Sequence, residues 1–66
     1  MKTGTLTNTG NDTIEAVYVY DAETAKLFKK IDGSFFLQGR YKSEAGAAAH
    51  IRRYAYSYQR FAWETV

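Results

Sequence analysis

Residues 47–61, AAAHIRRYAYSYQRF, combine guanidinium groups and tyrosine rings at a spacing that could form a binding surface. On a helix, a rotation of about 100° per residue would direct one set of polar and aromatic side chains away from the core. The predicted binding residues are Arg52, Arg53, Tyr56, Gln59, Arg60 and Trp63. Guanidinium groups form paired hydrogen bonds with carboxylates and phosphates, and aromatic rings are frequent anchors of interfaces. The pattern therefore predicts a basic and aromatic contact surface.

Three functions are open for such a surface. The first is a small non-catalytic regulator or inhibitor that contacts a larger protein, with Tyr56 and Trp63 as anchors. The alternative is a nucleic-acid-binding protein, in which Arg52, Arg53 and Arg60 contact the phosphates of DNA or RNA and a tyrosine ring, that of Tyr56, stacks on a base. The third is a homodimer joined through an exposed sheet edge or the tyrosine-rich face. A solvated helix face without a partner is the alternative to all three.

Groups able to perform catalysis or bind a metal are few. The single histidine, His50, has no carboxylate or nucleophile near it in the sequence, and a catalytic histidine needs such a partner. The absence of cysteine from the sequence excludes thiolate zinc sites. The acidic residues of the first half sit in or beside predicted turns and strands: Asp12, Glu15, Asp21, Glu23 and Asp32. We therefore predict no catalytic residue, no metal site and no cofactor.

Positive charge is concentrated in the second half of the chain. Residues 1–33 contain four lysines and five acidic residues, a net charge of −1, whereas residues 34–66 contain four arginines, one lysine and two acidic residues, a net charge of +3. Arginine suits phosphate and interface contacts better than lysine does. The distribution favours the second half as the binding half, although four arginines are also ordinary for a small protein.

The composition is that of one folded domain, residues 1–66. Apolar residues make up 45% of the chain and aromatic residues 17%, and aromatic side chains bury large areas in a small core. No stretch approaches the ~20 apolar residues of a transmembrane helix, and the N-terminus lacks a signal-peptide pattern, which favours a cytoplasmic protein without membrane contact. The short length suggests a regulator, an inhibitor or an accessory protein of the kind that phages and plasmids encode.

The elements that must position these residues begin with an antiparallel sheet. TLTNT followed by the turn residues TGND indicates a hairpin over residues 4–20. The segment TIEAVYVY, residues 13–20, is apolar on both faces, as expected of a central strand. Two further strands, KLFKKID and SFFLQGRY, are joined by the hairpin dipeptide Asp32-Gly33, and Gly39 indicates a bulge.

A helix is predicted to follow the sheet. Ser43 is a suitable N-cap, and Glu44 in the first turn complements the helix dipole. The apolar residues that follow have the spacing of one helix face: Ala47, Ile51, Tyr54, Tyr58 and Phe61. This spacing favours a helix from residue 44 to about 61, whereas the modest helix propensities of tyrosine and serine favour a shorter helix followed by a strand.

The expected fold class is α+β, a small antiparallel three- to four-stranded sheet followed by one long C-terminal helix packed on one face. The alternative is ββ(β)αβ, with a C-terminal strand added to the sheet. The two differ over residues 54–63. If that segment is extended, the predicted helix face does not form.

Overall fold

The structure, a computed structural model, describes residues 1–64 as an antiparallel sheet and one helix. The elements are β1 (Lys2–Asn8), β2 (Ile14–Asp21), β3 (Lys26–Ile31), β4 (Ser34–Arg40), α1 (Glu44–Tyr54) and β5 (Gln59–Trp63). The strands lie in the order β4-β3-β2-β1-β5, and all neighbours are antiparallel. The α+β class and the antiparallel sheet are confirmed. The sheet has five strands rather than three or four, because a C-terminal strand joins it. The alternative ββ(β)αβ therefore describes the chain better.

Tight turns join the first four strands where the sequence predicts them. Between β1 and β2, the side-chain oxygen of Asn8 accepts a hydrogen bond from the Gly10 amide at 2.8 Å. Asp32 and Gly33 connect β3 to β4 with φ angles of 51° and 81°, the positive values that a type I′ hairpin turn requires. Both predicted hairpins are therefore present.

The predicted bulge lies in β4. Leu27 pairs with Gly39, but the next residue, Phe28, pairs with Leu37, so Gln38 is the extra residue on the β4 side. A bulge of this kind increases the local twist of the strand. The last residues of β4 are therefore turned relative to its apolar first half.

Strand β2 is the middle strand of the sheet, as its two apolar faces predict. Tyr18 and Tyr20 are buried on the face that α1 covers. Val17 and Val19 alternate with them and point to the opposite face, where they are partly exposed. The sheet thus has one face under the helix and one face that no other element of the described residues covers, called the open face below.

Helix α1 begins as predicted and ends earlier than predicted. The Ser43 hydroxyl accepts a hydrogen bond from the Gly46 amide at 3.1 Å, which makes Ser43 the N-cap. The helix has 11 residues and ends at Tyr54, so the prediction of a long helix to residue 61 was wrong. The chain turns over residues 55–58 and then pairs with β1 as β5.

The strand pattern of β5 becomes visible only when alternation is counted from Gln59. Gln59, Phe61 and Trp63 then share one face and are partly buried, while the residues between them are exposed. A strand extended back to Tyr54 would place its tyrosines on the face opposite Phe61 and Trp63, so no single apolar face would result. The ladder with β1 supplies backbone hydrogen bonds that a strand gains only from a distant partner, so the local spacing favoured the helix.

The core lies between α1 and the helix-side face of the sheet. Its buried apolar residues are Leu6, Tyr18, Tyr20, Leu27, Ala47, Ala48 and Ile51. The predicted helix stripe is therefore correct only for its first two members. Tyr54, in the last turn of α1, and Tyr58, in the connection to β5, are exposed. Phe61 reaches the core from β5 instead of from a helix.

The length of α1 also bears on membrane contact. A helix that crosses a bilayer needs about 20 predominantly apolar residues. In the part of the chain that the structure describes, no helix is long and apolar enough for such a crossing.

Candidate functional site

Most of the predicted binding residues meet in a cleft where α1 ends and β5 begins. The cleft has a volume of about 410 Å³. It is lined by Arg52, Ala55, Tyr56, Ser57, Gln59, Arg60 and Phe61. Four of the six predicted residues are among them, and we call this site the Arg–Tyr cleft. Because β5 is an edge strand, the cleft opens at the side of the sheet.

The arrangement differs from the helix face that the sequence predicts, and that part of the prediction was wrong. Arg52 and Arg53 belong to α1, Tyr56 lies in the connection, and the remaining three residues belong to β5. Arg53 is exposed but does not line the cleft. A contact between Arg53 and a partner stays a prediction.

Trp63 does not extend an outer face. Its ring lies 5.0 Å from that of Phe61 and 6.4 Å from that of Tyr20, between ring centroids, and the side chain is partly buried against the core. The Lys2 ammonium lies 5.8 Å from the centre of the Trp63 ring. Trp63 therefore fills space between β5 and the centre of the sheet.

Gln59 holds the wall of the Arg–Tyr cleft in place. Its backbone amide donates to the Tyr56 carbonyl at 2.9 Å, which closes a turn over residues 56–59. Its side-chain oxygen accepts from the Tyr56 amide at 2.9 Å, and its side-chain nitrogen donates to the Glu15 carboxylate at 2.8 Å. Two hydrogen bonds between Tyr56 and Gln59 thus close the turn, and the bond to Glu15 connects it to β2.

The Glu15 carboxylate is engaged by neighbours on two other strands. Besides Gln59, the side-chain amide of Asn8 donates to it at 3.1 Å. These hydrogen bonds, that from Gln59 first, lower the pKa of Glu15, because they stabilise its charged form. Glu15 therefore acts as an anionic acceptor that organises the cleft wall.

The two arginines of the cleft are free to bind an anion. Within residues 1–64 the one ion pair joins Lys2 to Glu44 at 2.8 Å, so neither Arg52 nor Arg60 is paired with a described carboxylate. The Arg52 guanidinium lies 5.2 Å from the centre of the Phe61 ring, a cation–π contact that leaves its edge N–H groups available.

Three tyrosines near the end of α1 have exposed rings. Tyr54, Tyr56 and Tyr58 are 65%, 66% and 46% exposed. The rings of Tyr56 and Tyr58 stack nearly parallel, 5.6 Å apart between centroids. The sequence interpretation missed Tyr54 and Tyr58, which it assigned to the core. Both rings are exposed because the helix ends at Tyr54 and residues 55–58 form a connection outside the sheet.

His50 lies behind this surface rather than in it. It is buried, its Nδ1 shares a hydrogen bond with the Tyr41 hydroxyl, and its ring contacts that of Tyr54. Burial, and to a smaller extent the Arg53 charge, lower the pKa of His50. Over the described part of the chain, no group of three or more His, Cys, Asp or Glu side chains could hold a metal.

A larger cavity of about 460 Å³ near the N-terminus is a weaker candidate. Its charged lining residues are Lys2, Glu44 and Glu64. Lys2 and Glu44 neutralise each other through their ion pair. The Arg–Tyr cleft contains two arginines that pair with no carboxylate of the described residues, so it is better suited to recognise a charged partner.

No protein-family model matches the chain, and neither a curated protein nor a solved structure is similar to it. A function is therefore inferred from the residues of the cleft.

Proposed function

We propose that this chain is a small non-catalytic binding protein, a regulator or inhibitor, that contacts an acidic segment of a larger protein through the Arg–Tyr cleft. The observation that carries the proposal is the meeting in one cleft of an exposed tyrosine and two guanidinium groups that have no carboxylate partner among residues 1–64. Arginine and tyrosine are enriched among the residues that dominate binding energies at protein interfaces. Arginine also forms bidentate hydrogen bonds with carboxylates.

The position of the cleft favours an extended partner segment. Strand β5 is an edge strand, and an edge presents backbone groups that a partner strand can use. Arg60 lies on β5 and Arg52 on α1, and both line the cleft. An extended peptide along this edge would bring acidic side chains from both of its faces to the guanidinium groups, because Arg60 and the helix-side Phe61 point to opposite faces of β5, while Tyr56 covers the apolar positions.

Nucleic-acid binding is the second candidate, supported by the exposed rings beside the arginines. Aromatic rings can stack on bases, and guanidinium groups contact phosphates. However, Tyr56 and Tyr58 already stack on each other, which leaves one face of each ring for a base. Few cations line the cleft, and affinity for nucleic acid depends on many phosphate contacts. We therefore rank an acidic protein segment first.

Fluorescence anisotropy with defined probes tests the proposal. The first probe is a labelled peptide in which pairs of glutamates alternate with pairs of valines, so that both faces of the extended peptide carry glutamate, and its control replaces every glutamate with glutamine. We expect binding of the glutamate peptide, and a Kd raised about tenfold by Arg52→Ala or Arg60→Ala, since a hydrogen bond to a charged group contributes roughly 1.5–3 kcal/mol. Lys42→Ala removes the same charge from an exposed residue outside the cleft and should leave the Kd unchanged.

A single-stranded thymine oligonucleotide distinguishes the two candidates. If it binds more tightly than the glutamate peptide, and if its log Kd rises with log salt concentration by about 0.7 per phosphate contacted, nucleic-acid binding replaces the proposal. An equal loss of peptide affinity in Arg52→Ala and Lys42→Ala would mean that general positive charge, and not the cleft, attracts the peptide.

A further inference from the structure

The strand β4, at the other edge of the sheet, exposes a continuous apolar surface. Phe35, Phe36 and Leu37 follow one another and are 54%, 50% and 52% exposed. Consecutive residues of a strand point to opposite faces, so Phe36 points to the helix side and the other two to the open face. Helix α1 covers the middle of one face of the sheet and does not cover Phe36 at its edge. Phe35 and Leu37 lie on the open face, so all three side chains remain about half exposed.

The edge of β4 lacks the features that usually prevent strands from pairing. Residues 34–39, SFFLQG, include no proline and no charged residue, whereas protein edges are commonly protected by lysine, proline or a covering element. The opposite edge, β5, is shorter and has Arg60 near its start. An apolar, uncharged edge strand is a template for a further strand.

We propose that a second copy of this chain occupies this edge, with the two β4 strands pairing antiparallel across a two-fold axis to form one ten-stranded sheet. If the pairing is centred on Phe36, the two Phe36 residues lie opposite each other. Phe35 of each copy then lies opposite Leu37 of the other. These pairs lie on matching faces, because directly opposite residues in an antiparallel pair share a face. A two-fold contact of this kind closes after two copies.

Charge complementarity favours the same arrangement. Asp32 precedes β4 and Arg40 ends it. In an antiparallel pair the beginning of one strand meets the end of the other, so each Asp32 approaches Arg40 of the second copy. A parallel arrangement would instead bring like charges together at both ends.

The area available indicates a weak dimer. A phenylalanine buries about 150–250 Å² when fully covered, and the three side chains are about half exposed. With Ile31, which is also exposed, they offer a few hundred Å² per copy, to which the paired backbones add. The total falls near the lower end of specific interfaces, about 1,200 Å². We therefore expect dissociation in the micromolar to millimolar range.

Sedimentation equilibrium over that concentration range tests the dimer. The wild-type chain should fit a monomer–dimer equilibrium. Phe36→Lys should remain monomeric, since it sets two lysines opposite each other across the axis. Ile14→Lys is the matched control, because Ile14 is apolar, 55% exposed and outside β4; it should dimerise like wild type. Wild type that stays monomeric, or Phe36→Lys that dimerises as well as wild type does, overturns the proposal.

Disulfide trapping tests the register of the β4 pairing. Because the chain has no natural cysteine, any disulfide that forms must involve the introduced residue. Directly opposite residues have Cβ atoms about 4.5–5.5 Å apart, so Phe36→Cys should form an intermolecular disulfide under mild oxidation. Ile14→Cys should cross-link much more slowly. Equal rates for the two variants, or no disulfide-linked dimer of Phe36→Cys, would overturn the two-fold pairing of β4. Both substituted positions are exposed, so neither cysteine should disturb the fold.

Discussion

At the scale of single residues, His50 is the group whose surroundings determine a measurable property. Its ring is 5.3 Å from that of Tyr41 and 5.0 Å from that of Tyr54, between centroids. The hydrogen bond with the Tyr41 hydroxyl engages one ring nitrogen. This environment stabilises a neutral imidazole, because burial penalises the charged form.

The stability of the fold should therefore depend on pH through His50. The pKa of His50 is lowered from 6.5 in the folded chain, so just below pH 6.5 the unfolded state binds more protons than the folded state. By linkage, the free energy of unfolding should fall as the pH drops from 6.5 to the lowered pKa, and His50 should cause no further loss below it. Urea unfolding at a series of pH values measures this change.

His50→Gln is the control variant for this pH dependence. It keeps a polar side chain at the position and removes the only histidine, so its stability should be flat over the same interval. Glu15 and Asp21 also have pKa values lowered from 4.5 and 3.8, but their contributions are lost only at more acidic pH. An identical slope in wild type and His50→Gln just below pH 6.5 would contradict the burial of a neutral histidine.

The candidate site could be predicted from the sequence in part, because its residues are close together in the chain. Arg52, Tyr56, Gln59 and Arg60 span a helix end, a turn and a strand start, and so short a segment remains together in space whichever element it forms. The directions of the side chains could not be predicted. Trp63 was expected outside and packs inward, because its direction depends on β1, which is distant in the sequence.

At the scale of elements, the end of α1 is the feature that local sequence does not determine. Tyrosine spacing favoured a longer helix, and only the ladder between β5 and β1 gives the extended form an advantage. The first four strands were predictable because each pairs with a neighbour in sequence through a short turn. Strand β5 pairs with the first strand of the chain, a contact that no local pattern encodes.

Gly4 provides the surface on β1 against which β5 packs. A Cβ atom at this position would lie 2.7 Å from Phe61 Cε1 and 3.0 Å from Trp63 Cζ3. Gly4→Ala should therefore force the two rings to shift and lower the free energy of unfolding by about 1–3 kcal/mol, as measured by urea denaturation. The sequence interpretation gave this glycine no role, because its importance depends on the rings of β5.

Gly46→Ala is the matched substitution in α1. The added Cβ would make ordinary contacts, 3.4 Å from Tyr41 Cδ1 and 3.5 Å from Ser43 Oγ. Because alanine is the better helix former, this variant should gain up to about 1 kcal/mol. If Gly4→Ala were as stable as wild type while Gly46→Ala behaved as expected, the packing of β5 on β1 described here would be wrong.

At the scale of the whole molecule, the helix is too short to cover the whole helix-side face of the sheet. The two candidate binding surfaces lie at opposite edges of the sheet. The Arg–Tyr cleft is at β5 and the apolar surface of β4 is at the far side. With strands about 4.8 Å apart, four strand spacings separate the edges by roughly 19 Å. A dimer formed through β4 would therefore leave both clefts open at its outer ends, where each could engage a partner.

The small core makes the stability of the whole molecule depend on a few side chains. Ile51 is fully buried between α1 and the sheet, and Ile51→Ala should cost about 2–5 kcal/mol. A chain of 66 residues has a total stability of about 3–10 kcal/mol, so this variant should lose a large share of its stability and unfold at a lower urea concentration. Far-UV circular dichroism and urea unfolding measure the loss.

Tyr54→Ala separates the observed fold from one with a longer helix. Ile51 and Tyr54 are three residues apart, and a helix continued to residue 61 would bury both against the sheet. In the observed fold Tyr54 is 65% exposed and contacts the His50 ring, so its truncation should cost less than about 1 kcal/mol, as for most surface substitutions. If Tyr54→Ala proved as destabilising as Ile51→Ala, the tyrosine would belong to the core, as a longer helix requires.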